Sequence, residues 1–210
     1  MTVKLIDQVR FPALAESEMT SEQRRIADSI KAGRKSLSGP FHAMLRSPDL
    51  AAPLERIGAY LRFSAPMSQK LRELAIIVVA RYWSAQFEWV VHRKLAEEAG
   101  LAASKADALM AGRRTLDFDP DEDLVFRFVV QLLVGGFVDD PTFDQAKARF
   151  GELQVADLIG LVGYYCTVSF FLNVDRHPIP EGTAGLPALA TRAFTEALDE
   201  ILAAPPPPFE

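Results

Sequence analysis

Glu73, Glu88 and His92 are ionisable residues set in a largely apolar stretch, SQKLRELAIIVVARYWSAQFEWVVHRKLAEEAG, running from Ser68 to Gly100. Glu88 and His92 are four residues apart, the spacing that puts a carboxylate beside an imidazole on one face of a helix. At about 100° per residue, Gln86, Arg93, Lys94, Glu97 and Glu98 gather on one side of that helix. Ala85, Trp89, Val91, Leu95, Ala96 and Ala99 gather on the other, with Glu88 and His92 among them. Ionisable groups turned inward are costly unless paired. A buried carboxylate–imidazole pair is suited to proton transfer, with the histidine moving the proton and the carboxylate fixing its tautomer. It also fits a plainer role, a core histidine satisfied by its neighbour with no chemistry attached.

Glu73 joins this pair only if the chain reverses. Along one straight helix Glu73 and His92 would lie roughly 28 Å apart, at about 1.5 Å per residue. A reversal near Trp83 and Ser84, nine or ten residues from each, brings them level on two antiparallel helices. Leu74 to Ala80 is apolar without interruption, flanked by Arg72, Glu73 and Arg81, the pattern of a helix buried on most sides. Ser68 is placed to cap the first arm and Ser84 the second, and Gly100 to end the second as a C′ glycine. Before the hairpin, Thr20-Ser21-Glu22-Gln23 has capping-box spacing and opens a polar helix over 20–34. Gly39-Pro40 breaks it, Phe41 to Leu45 makes a short apolar turn or helix, and Ser47-Pro48 starts a helix running to Phe63. After the hairpin the pattern predicts helices over 104–112, 121–135, 142–150, 155–173 and 185–204, with Asp119-Pro120 and Asp140-Pro141 marking two of the starts. No period-2 pattern appears. The chain reads as all-α: an irregular arm over 1–19, one domain over 20–204 and a proline-rich tail over 205–210.

Bulk properties narrow the function. A chain of 210 residues suits one domain with a sizeable core, and 49% apolar with 24% charged residues is ordinary for a soluble globular protein. A net charge of −5 and a pI near 5.3, with no basic patch, argue against a nucleic-acid partner. The single cysteine, Cys166, excludes an intramolecular disulfide and a cysteine-rich zinc site and suits a reducing cytoplasm. His42, His92 and His177 are far apart with no HxH or HExxH spacing, so no metal is expected. The first nineteen residues hold no apolar h-region, so no signal peptide is expected. No membrane span is expected either, since the apolar-rich run over 158–172 is about 15 residues where ~20 are needed.

The text LRELAIIVVARYWSAQFEWVVHRKLAEEAGL, with GPFHAMLRSPDL before it and DLIGLVGYYCTVSFFLNV after it, resembles the carboxymuconolactone decarboxylase family, which also contains the alkylhydroperoxidase D proteins. The resemblance implies an alkylhydroperoxidase-D-like helical bundle around a central hairpin. It also implies a homo-oligomer (dimer, trimer or hexamer) acting on a small molecule without a cofactor. The peroxidase branch carries a Glu, then Cys-x-x-Cys, then a His. Counted from Glu73, the cysteine positions fall on Ala85 and Glu88 and the histidine on His92. Thiol-based peroxide reduction needs a thiolate and a resolving thiol, which Ala85 and Glu88 cannot supply. Cys166, alone in an apolar helix, is no substitute, so an alkylhydroperoxidase or peroxiredoxin-type activity is disfavoured.

The decarboxylase members convert a carboxylated muconolactone to the enol-lactone. The resemblance carries over Glu73 and His92 as acid–base groups, with Glu88 as an alternative partner of the histidine. Decarboxylation beside a carbonyl requires stabilisation of developing negative charge and return of a proton to carbon. Tyr82, Tyr164 and Asn173 are candidate neutral donors to the substrate, and Arg81 is a candidate for attracting its carboxylate. The lactone decarboxylases are shorter and carry a cysteine near this motif, so the longer EWxxH form marks a different branch. The expectation is a cofactor-independent decarboxylase or related lyase acting on a small carboxylated lactone or enolisable acid. The rival is a non-catalytic ligand-binding oligomer that kept the fold after losing the thiols.

Overall fold

A computed structural model describes residues 9–34 and 37–203 of the chain. Among the described residues there are nine α-helices and no strand: α1 (Ser21–Arg34), α2 (Phe41–Met44), α3 (Pro48–Phe63), α4 (Gln69–Tyr82), α5 (Gln86–Glu98), α6 (Ala103–Met110), α7 (Pro120–Val130), α8 (Asp140–Asp175) and α9 (Thr195–Ala203). The first eight residues of the expected arm and the 205–210 tail lie outside the described residues. The all-α class read from the sequence is the one observed.

α4 is the centre of the bundle, packed against α5, α7 and α8. Every residue from Leu71 to Tyr82 except Arg72 is buried, which explains the unbroken apolar run. The Ser68 side chain accepts from the Leu71 amide and caps its start. The end of α4 differs from expectation. Ser84 does not cap α5; it sits in the left-handed region at φ 52, with its amide donating to Arg81 O and the Ala85 amide to Ala80 O. That bond pair is a Schellman ending, which normally recruits glycine. The N-cap position of α5 is therefore Ala85, whose methyl has nothing to accept with. α5 ends as expected: Gly100, at φ 100, and Leu101 donate to Glu97 O and Ala96 O.

Asp119 and Glu122 form a reciprocal capping box at the start of α7, which runs on through a π-helical turn, Gln131–Gly135, to Gly136 at φ 76. The two helices expected over 142–150 and 155–173 meet end to end in α8, divided at Gly151 by its non-helical φ 78 and ψ 162. Among the described residues α8 alone has the length and apolar composition to cross a bilayer, contrary to the expectation from run length. Half of that stretch is buried inside the bundle, as in the core helix of a soluble protein.

The final helix is shorter than expected, beginning at Thr195 rather than at Gly185. The preceding strap, 176–194, is not helical and is tied to the hairpin at Leu186 and Pro187. Gln86 accepts from the Leu186 amide at 2.6 Å and donates to Leu186 O at 3.2 Å, and Arg81 donates to Pro187 O at 3.0 Å.

Candidate active site

The hairpin places Glu73 on α4 and Glu88 and His92 on α5, and α4 and α5 are in extensive contact. His92 Nδ1 lies 2.6 Å from Glu73 Oε2, and His92 Nε2 lies 2.9 Å from Glu88 Oε2. All three are buried, at 5%, 5% and 2% exposure for Glu73, Glu88 and His92. The two approaches are unequal in kind. The Glu73 contact is a short hydrogen bond, whereas Glu88 Oε2 has charge proximity but no aligned donor. Burial by itself would lower the pKa of His92. The charge of Glu88 and the hydrogen bond to Glu73 outweigh it and raise the value to about 9. At neutral pH the site is thus an imidazolium between two carboxylates. Nδ1–H is committed to Glu73, so the proton available for transfer is the one on Nε2.

Beside this trio lies a cavity of about 150 Å³. Glu88 and His92 line it and Glu73 does not, which separates the roles: Glu73 orients the ring from behind, and His92 and Glu88 face the space. The apolar wall is Phe41 of α2, Phe87 and Val91 of α5, and Val168 of α8, with Arg62 of α3 and Tyr164 of α8 adding polar groups. Tyr165 meets His92 edge-on, ring centroids 5.1 Å apart at 84°. Burial raises the Tyr165 pKa well above its ordinary value, so its hydroxyl stays protonated.

Of the four residues expected to bind substrate, Tyr164 lines the cavity and Arg81, Tyr82 and Asn173 do not. The reason is axial distance. Arg81 lies eight residues beyond Glu73 on α4, roughly 12 Å at about 1.5 Å per residue, and Asn173 lies about as far beyond Tyr164 on α8. These three serve the tip of the hairpin instead. Arg81 holds the strap, Tyr82 lies under the Arg192 guanidinium, 5.0 Å from its ring centroid, and Asn173 donates to Trp83 O at 2.8 Å. Arg62 escapes notice in the sequence because a basic residue in the last turn of a helix normally reads as a complement to the dipole.

No thiol reaches the cavity. Ala85 is buried at the start of α5, and Cys166 accepts from Trp83 Nε1 at 3.1 Å, its pKa raised by burial. Among the described residues no group of three or more His, Cys, Asp and Glu side chains is arranged to hold a metal ion. Neither His42 nor His177 lines the cavity; His177 Nε2 accepts from the Gly39 amide at 3.3 Å and its ring meets Phe87 edge-on.

No curated protein matches the chain. Residues 48–131 match the family model described as Carboxymuconolactone decarboxylase family, a span that begins with α3, includes the whole hairpin and ends just past α7. Over that span, which supplies Arg62, Glu73, Glu88 and His92, the chain is similar to the carboxymuconolactone decarboxylase family.

Proposed function

We propose that this chain is a cofactor-independent lyase that decarboxylates a small carboxylated lactone or enolisable acid. The supporting observation is a buried imidazolium clamped between two carboxylates, with His92 and Glu88 lining the cavity. In the proposed step a C–CO₂ bond breaks, CO₂ leaves, and the bonding electron pair stays on carbon, delocalised into the neighbouring carbonyl oxygen. The imidazolium stabilises that charge, then His92 Nε2–H delivers its proton to the carbon and regains one from water. Glu73 is the positioning residue that commits the other ring nitrogen. The single, half-buried cysteine suits a cytoplasmic setting. Exposed apolar side chains on α3 and α8 support a homo-oligomer.

The test is CO₂ release from a panel of small keto and lactone acids. His92→Gln is expected to lower kcat by roughly 10²–10⁴-fold, the range for a positioned acid. The parent rate should hold through neutral pH and fall as pH rises through about 9, where His92 loses its proton. Thiol reagents should leave it unchanged. Turnover that survives in His92→Gln overturns the proposal, as does hydroperoxide turnover abolished by alkylating Cys166. Ligand binding without turnover, unaltered in His92→Gln, would favour the non-catalytic oligomer.

A further inference from the structure

Apart from His92 itself, the cavity has one cationic wall residue among the described residues, Arg62. Its guanidinium makes no hydrogen bond and no ion pair with a described residue, and its one close ring contact is with Phe63, 5.2 Å from the centroid. A guanidinium has five N–H donors in a planar fork that matches a carboxylate, and a half-buried one with none of them used by a described residue is suited to take an anion. Its charge acts on the Tyr165 hydroxyl, and the Tyr165 ring lies edge-on to His92, so guanidinium and imidazole flank the same tyrosine.

The charge of the trio gives the ligand a direction. One imidazolium between two carboxylates leaves one negative charge in excess, so an anionic ligand is repelled at that end and attracted at the Arg62 end. A guanidinium clamped on a departing carboxylate would also oppose its loss as neutral CO₂. The carboxylate that Arg62 holds is therefore one that the reaction retains. Size is bounded too. A cavity of about 150 Å³ is comparable to one that takes a benzene ring, and well below the roughly 300–1,000 Å³ of sites for drug-sized ligands.

We propose that Arg62 is the specificity-determining residue of this cavity, holding a retained carboxylate of a ligand no larger than a single substituted ring, with the rest of the ligand against His92. The assignment rests on the cavity being the reaction site. A basic residue in the last turn of a helix also complements the dipole, and that role alone predicts a changed melting temperature with no change in ligand discrimination.

The test is binding, so that it stands apart from turnover. Benzoate and its neutral counterpart benzamide are titrated calorimetrically at pH 7 and low salt into the parent protein, Arg62→Gln and Arg62→Lys. The parent is expected to bind benzoate at least tenfold more tightly than benzamide. Arg62→Gln should lose that preference by weakening benzoate alone, and Arg62→Lys should restore part of it. Equal affinity for the two probes in the parent overturns the proposal. So does a preference that persists in Arg62→Gln, or no benzoate binding to the parent up to roughly 10 mM. If the preference depends on Arg62 while no acid in the panel is decarboxylated, the lyase assignment falls and the carboxylate anchor stands. Turnover of an acid at a rate and KM indifferent to Arg62→Gln does the reverse: the lyase assignment stands and the anchor falls.

Discussion

His92 keeps its proton up to about pH 9 because two carboxylates outweigh the cost of burying it. That coupling determines what single substitutions do. His92→Leu leaves Glu73 and Glu88 buried without their cation, and breaking a buried charge group this way costs ~3–5 kcal/mol. For a chain of this length that is a Tm lower by roughly 6–20 °C. Removing all the charges together, with Glu73→Met and Glu88→Met added, is instead expected to return the Tm to the parent value or above, because packed apolar residues often match or exceed a buried ion group in stability. A triple variant as unstable as His92→Leu would mean that the trio is there to join α4 to α5. The pH dependence of the parent follows from the same shift. The folded state binds the His92 proton more tightly than the unfolded chain, where the value is near 6.5, so this contribution is complete below pH 6.5 and lost as pH rises to about 9. Chemical denaturation across that window should show declining stability in the parent and a flatter profile in the triple variant. The pairing of Glu88 with His92 is legible in the sequence because both fall on an apolar arc, and that of Glu73 because residue counts from the reversal match. Arg81, Tyr82 and Asn173 are candidates by side-chain type alone, and type carries no information on height along a helix.

The elements are legible wherever a local cap or proline sets a boundary: Ser68, Asp119, Gly100 and the Asp140-Pro141 start all act where the sequence places them. The strap over 176–194 reads partly as helix because its bonding partners, Gln86 and Arg81, lie about a hundred residues away. The hairpin turn misleads for a subtler reason, since serine is a good N-cap but here occupies a position that favours glycine. The left-handed conformation costs a non-glycine residue ~1–2 kcal/mol. Glycine avoids that cost but gives back roughly 0.5–1 kcal/mol through the freedom it adds to the unfolded chain. The balance favours Ser84→Gly by up to about 1.5 kcal/mol, roughly 3–6 °C in Tm for a protein of this size. Scanning calorimetry of Ser84→Gly beside the parent checks it. A lower Tm would show that the serine hydroxyl contributes more at the turn than the backbone strain removes.

At the scale of the whole molecule, the outer face of α8 carries large apolar side chains that the described residues leave exposed. Leu153, Ile159, Phe170 and Val174 are exposed along it, and α3 beside it exposes Leu50, Ile57 and Phe63. Between the large residues of α8 lie Gly160 and Gly163. A Cβ at Gly160 would meet only Leu61, at an ordinary 3.9 Å, and a Cβ at Gly163 would meet nothing within 4 Å. Glycine inside a helix costs roughly 1 kcal/mol relative to alanine, and no contact among the described residues requires either residue. A second copy packed closely against this face would require both. The sign of Gly163→Ala therefore separates the cases. In a homo-oligomer built on α8, the added methyl intrudes on the neighbouring helix, so the variant should melt lower and show a smaller mass by light scattering. If the face stays open to solvent, the same substitution should raise stability by about 1 kcal/mol with no change in mass. Ile159→Glu supplies the control, since a carboxylate buried at an interface disperses the assembly, whereas on an open surface it leaves mass and fold unchanged.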